Sequence, residues 1–170
     1  MNTRQRIAVG LLTLSAAGFA SWQAQEGYSS TAIIPVKDDV PTLGHGSTRW
    51  EDGRPVRMSD TITPARAVIL AKALNSQEEK RFAASLPGVK LQQVEFDLYM
   101  DFVGQYGSGT WAKSSMRREL LAGNYVQACR ALIKYRFVKG YDCSTPGNTR
   151  CFGVYTRQLK RHTQCMAAQS

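Results

Sequence analysis

Residues 7–25, IAVGLLTLSAAGFASWQAQ, carry no charge over 19 positions, and Arg4 and Arg6 stand just before them. As a helix such a run spans roughly 28 Å, close to the thickness of a bilayer core. Ten of its residues are Ala, Gly, Ser or Thr, and seven are large and apolar: Ile7, Val9, Leu11, Leu12, Leu14, Phe19 and Trp22. Positive charge ahead of an apolar run is how export signals begin. Three membrane readings follow: a signal peptide cleaved before Ser21, a permanent anchor, or a signal-anchor weak enough to leave the membrane again. The load of small residues fits the last best. The plain alternative is a buried N-terminal helix of a cytoplasmic protein, and the paired arginines argue against it. The expected division is therefore a membrane segment over residues 1–25 and a folded domain over 26–170.

Past Glu26-Gly27 the pattern shortens. Residues 31–36 (TAIIPV) predict a strand with a bend at Pro35. Lys37 to Pro41 is a turn, and Thr42 to Ser47 is a second strand loosened by Gly44 and Gly46. Asp52-Gly53 signals a hairpin between Trp50 and Val56-Arg57-Met58, so residues 31–58 predict a small antiparallel β-lobe. The period then becomes helical. Thr63-Pro64 is a helix start, Ala65, Val68, Ile69 and Ala73 form an apolar stripe, and Pro87-Gly88 stops the helix near Ala84. Leu91, Val94, Leu98 and Phe102 predict a helix up to Gly107-Ser108-Gly109. Ser114 or Ser115 caps a short helix through Leu121, and Val126, Cys129, Ile133 and Phe137 mark another. Phe152 to Ala168 predicts a last helix with a basic side of Arg157, Lys160 and Arg161. The fold class is α+β: an N-terminal helix, a small antiparallel β-lobe and a larger helical lobe, with a cleft between the lobes.

Charge narrows the partner. The 170 residues carry a formal net charge of +9. A basic surface favours an anionic partner such as nucleic acid, anionic lipid or a cell-wall polymer. Nucleic acid is the weakest of these, because the chain has neither RNA-binding aromatic signatures nor a dense Lys/Arg block. The four cysteines, Cys129, Cys143, Cys151 and Cys165, agree with export. They allow three pairings. Cys143–Cys151 is favoured because it closes a loop holding Ser144, Pro146, Gly147 and Asn148; Cys129–Cys165 would then clip two helices together. Zinc is the rival reading, without a C-x-x-C pair to support it.

Candidate chemistry follows by subtraction. The chain has two histidines, His45 and His162, and lacks both H-E-x-x-H and G-x-S-x-G. Its thiols are assigned to disulfides. Carboxylates remain: Glu26 at a helix end, where burial can keep an acid protonated, and the Asp38-Asp39 turn, where a polar site keeps an acid ionised. The plain alternative is a solvated glutamate and two turn-forming aspartates, and spacing alone favours it.

Glu26-Gly27-Tyr28, Pro41-Thr42-Leu43-Gly44-His45-Gly46, the stretch from Gly53 to Pro64, Ser114 to Arg118, Leu121 to Tyr125 and the segment from Gly140 to Cys165 together resemble the phage-type lysozymes of glycoside hydrolase family 24. The N-terminal run resembles the signal-arrest-release segment of phage endolysins. The resemblance implies a lysozyme-like fold and hydrolysis of the β-1,4 bond between N-acetylmuramic acid and N-acetylglucosamine, with no cofactor and no metal. It implies Glu26 as proton donor and Thr42 as the residue positioning the attacking water. The family's aspartate falls where this chain has Pro35 or Val36, so the role passes to Asp39, with Asp38 as alternative. His45 and Arg157 are the expected substrate contacts. The expected partners are peptidoglycan strands and, transiently through residues 7–25, the bacterial inner membrane, with no nucleic acid. A periplasmic monomer is expected after release. Two other classes remain: a lytic transglycosylase using Glu26 alone, and a wall-binding or membrane-tethered structural protein without catalysis.

Overall fold

A computed structural model describes residues 5–35, 37 and 39–170 of the chain. It divides into two units: Ser15–Arg81, and the N-terminal segment to Leu14 together with Phe82–Ser170.

In the Ser15–Arg81 unit, helix α1 runs from Ala16 to Glu26, and the Ser15 side chain caps it by accepting from the Gly18 amide at 2.9 Å. The uncharged run is therefore not one helix, because Ser15 starts α1 in its middle. None of the residues of α1 is buried. Strands β2 (Ser29–Ile33) and β3 (Thr42–Gly44) pair antiparallel, with Ser29 opposite Gly44 and Ile33 opposite Thr42. The Asp52-Gly53 turn closes with Trp50 and Arg54 bonded at 2.8 Å, and the Trp50 indole donates to Asp60 at 3.0 Å. The Arg57 amide and that indole hold the Asp60 carboxyl below its ordinary range. Helix α2 spans Pro64–Ala84, with the Thr63 hydroxyl accepting from the Arg66 amide at 3.3 Å. Its inward stripe differs from the expected one. Ala67, Leu70 and Ala71 are buried, and Ile69 is 58% exposed. Ala67 and Leu70 pack with Ala32, Leu43, Val56 and Ile62 in a small cluster. Small residues fit that contact, because the backbone of Gly44 comes within reach of the Ala67 side chain.

In the other unit, strand β1 (Ile7–Ala8) pairs antiparallel with β4 (Lys90–Leu91), and the Val9 amide donates to the Val89 carbonyl at 3.1 Å. Val9 and Leu12 lie in a core with Phe82, Phe96, Tyr99, Phe102 and Trp111. Helix α3 (Gln93–Ala112) opens with a capping box between Gln92 and Glu95. Its helical geometry breaks at Gly107 (φ 81°, ψ 157°), where the glycines predict an end. Helix α4 (Ser115–Leu121) is capped by Ser114. Helix α5 is Tyr125–Ala131, shorter than the stripe to Phe137 predicts. A 3-10 turn over Leu132–Lys134 follows it, and then β5 (Phe137–Val138) pairs with β6 (Tyr141–Asp142). Lys139 and Gly140, both at positive φ (48° and 80°), make the two-residue turn that forces the strands back on each other. Helix α6 spans Phe152–Ala167. Cys129 pairs with Cys165, joining α5 to α6, and Cys143 pairs with Cys151 around the loop before α6. Among the described residues no helix is long and apolar enough to cross a membrane.

Candidate active site

The site is built where α1 ends. Gly27 (φ 68°, ψ −157°) takes a conformation closed to side chains, and it turns the chain out of the helix directly after Glu26. The chain enters β2, and the Tyr28 hydroxyl donates to the Ile62 carbonyl at 2.9 Å. Beside it, Leu43 and Ser47 exchange both backbone hydrogen bonds at 2.9 Å around Gly44, His45 and Gly46.

Each glycine of this turn is required. Gly44 and Gly46 hold φ of 62° and 72°, where a side chain is strained. A Cβ on Gly44 would lie 3.0 Å from that of Ala67, and one on Gly46 would lie 2.8 Å from Oε2 of Glu26. The Glu26 carboxyl group therefore rests on the backbone of the β3 turn. Glu26 itself is exposed.

His45 is 7% exposed. Its Nδ1 meets the Gly27 carbonyl, and its Nε2 meets the Gln23 amide nitrogen at 2.9 Å. Its ring lies tilted against Tyr28, with centroids 5.7 Å apart. The structure puts His45, an expected substrate contact, inside the turn with both ring nitrogens engaged.

Thr42 is half-buried at the start of β3, and its hydroxyl donates to the Ile33 carbonyl over a long 3.4 Å, leaving its lone pairs for other donors. Asp39 is exposed, and its Oδ1 accepts from the Val40 amide at 2.8 Å. Asp38 lies outside the described residues. Arg157, in the other unit, is not on a free basic face. It and Arg161, which is 2% exposed, both pair with Asp101 of α3. Burial pushes the Asp101 carboxyl up, but the hydrogen bond from Arg157 and the charges of Arg161 and Arg157 outweigh it and hold the group below its ordinary range. Periodicity showed three cations on α6 and could not show the aspartate that faces two of them. Among the described residues no group of three or more His, Cys, Asp or Glu side chains is placed to hold a metal ion.

The structure thus gathers Glu26, Gly27, Tyr28, His45 and Gly46 into one contact, with Thr42 three residues before His45 at the turn's centre. Gln23 escaped the sequence reading. Its signal was its place one helical turn before Glu26. Chemically, the arrangement offers a carboxyl group able to deliver a proton and, on the adjoining strand, a hydroxyl able to hold water.

The family model described as Phage lysozyme matches residues 23–150. The chain is 27% identical over 126 residues to the endolysin of Salmonella phage P22, covering 74% of this chain and 85% of that protein. Among solved structures, an endolysin from Escherichia coli O157:H7 phage FAHEc1 is similar at 26% identity and a TM-score of 0.69, covering 92% of this chain and 94% of its own. A mutant of P22 lysozyme is similar at 24% identity and a TM-score of 0.71, covering 92% and 99%, and this likeness bears on the fold.

Proposed function

The chain belongs to the phage lysozyme family, and from that premise we propose that it is a peptidoglycan-degrading endolysin that cleaves the β-1,4 bond between N-acetylmuramic acid and N-acetylglucosamine. The observation that carries this reading is the seat of Glu26: last residue of α1, its carboxyl group against the Gly46 backbone. Glu26 gives its proton to the glycosidic oxygen as the bond from C1 breaks. Water held by Thr42 attacks C1 and passes its own proton to a carboxylate, for which Asp39 is the candidate. The family's aspartate position is empty of acid here, and Asp39 is exposed and accepts from the Val40 amide. That favours Glu26 as the dominant group and keeps a second reading, a lytic transglycosylase that needs no water-activating acid. The net charge of +9 suits an anionic wall polymer. The turbidity of purified sacculi tests the reading: wild type clears them and Glu26→Gln does not, and clearing by both would refute it.

The N-terminal run fits a releasable membrane segment acting before peptidoglycan is reached. Residues 7–25 are uncharged, α1 buries none of its residues, and Leu11 is 78% exposed. Val9 and Leu12 nevertheless belong to the core of the folded body. Release of the intact segment accounts for both observations; cleavage before Ser21 would remove β1 and the core residues Val9 and Leu12. A cleavable leader placed ahead of Gln5 should bring lysis forward, and unchanged timing would contradict the release.

A further inference from the structure

We propose that His45 and Gln23 are positioning residues that fix the catalytic carboxyl group of Glu26. This rests on the reading of Glu26 as the acid. The Gly27 carbonyl can only accept, so Nδ1 of His45 carries the proton, and Nε2 accepts from the Gln23 amide. The imidazole therefore bridges residue 23 and residue 27, holding the last turn of α1 on both sides of Glu26. Gly27 has no side chain to limit its torsions, and α1 buries no residue that would lock its end by packing. The clamp comes from a residue whose neighbour, Gly46, is the surface on which the carboxyl group rests. One turn thus sets the height of the helix end and the seat of the acid together.

At 7% exposure and with both nitrogens engaged, His45 presents no polar atom to a substrate. Its loss should act on the chemical step and leave binding alone. A group displaced by a fraction of an ångström costs about tenfold to a hundredfold in rate. The test measures kcat and KM on soluble uncrosslinked glycan strands for wild type, His45→Phe, His45→Asn, Gln23→Leu and Glu26→Gln. His45→Phe removes both bonds and should lower kcat by about tenfold or more with KM unchanged. In His45→Asn the amide nitrogen stands near the place of Nδ1, restores the bond to Gly27 and should recover most of the loss. Gln23→Leu cuts the other bond at a half-buried helix position and should lower kcat several-fold. Full kcat in His45→Phe, or a raised KM with kcat intact, overturns the proposal. If His45→Phe does not fold, Gln23→Leu decides, and an unchanged kcat there overturns it. Activity in Glu26→Gln would instead remove the reading beneath it, so the two failures are distinct.

Discussion

Replacing Arg6 with Ala tests whether the N-terminal segment is a working part of the folded body. The Glu95 side chain is fully buried, at 0% exposure, and Arg6 meets it with Nε and Nη2 at 3.0 Å each. The Gln92 amide and the Gln169 side chain add neutral donors at 2.8 Å each. The Arg6 guanidinium also lies 3.8 Å from the centre of the Tyr125 ring. Without Arg6 the carboxylate keeps those neutral donors but loses the paired charge. Breaking a buried pair costs about 3–5 kcal/mol, and since the Arg6 side chain is 29% exposed we take the lower end, about 3 kcal/mol. In a chain of this length each kcal/mol moves Tm by about 2–4 °C, so Arg6→Ala should lower Tm by about 6–12 °C. In a Glu95→Gln background the capping acceptor remains but the charge is gone, and Arg6→Ala should then cost about 1 kcal/mol, mainly the ring contact. The coupling between the two sites is thus about 2 kcal/mol. Urea unfolding followed by circular dichroism at neutral pH reads all four proteins. A loss under about 1 kcal/mol for Arg6→Ala, or an equal loss in both backgrounds, would refute the reasoning.

Three further outcomes are expected. Gly46→Ala places a Cβ against Oε2 of Glu26 at a positive φ, so it should cost about 1 kcal/mol in Tm terms while lowering kcat about tenfold or more; paired melting and turnover assays check both. The Asp101 carboxyl is held below its ordinary 3.8, so its contribution is present above that value and is lost as pH falls through the lower folded value; Asp101→Asn should therefore destabilise at neutral pH, with the gap to wild type closing in acid melts. Cys129–Cys165 spans 36 residues, so chain entropy gives it about 4 kcal/mol; Cys129→Ser with Cys165→Ser should lower Tm by about 8–16 °C, read by calorimetry.

Elements marked by local chemistry were legible. Thr63-Pro64 and Ser114 place helix starts, Asp52-Gly53 places a turn, and Gly107 places the break inside α3, because capping and positive φ are decided within a few residues. Features that depend on a distant partner were not. The 7–25 run reads as one helix by hydropathy, yet Val9 bonds to Val89 and Ser15 restarts the chain as α1. The α2 stripe reads as Val68 and Ile69 by size, yet the close approach of Gly44 selects Ala67. The basic side of α6 is legible as Arg157, Lys160 and Arg161, yet its partner Asp101 sits 60 residues before Arg161. In the candidate site the same division holds. Glu26, Gly44 and Gly46 could be named from the chain, whereas the grip of His45 on Gln23 and Gly27 needs the turn to be folded.

The most direct measurement digests purified peptidoglycan with wild type and with Glu26→Gln and reads the fragment ends by mass spectrometry. The account predicts reducing N-acetylmuramic acid ends from the wild type and no fragments from Glu26→Gln. Anhydro ends, fragments from both proteins, or none from a folded wild type would contradict it.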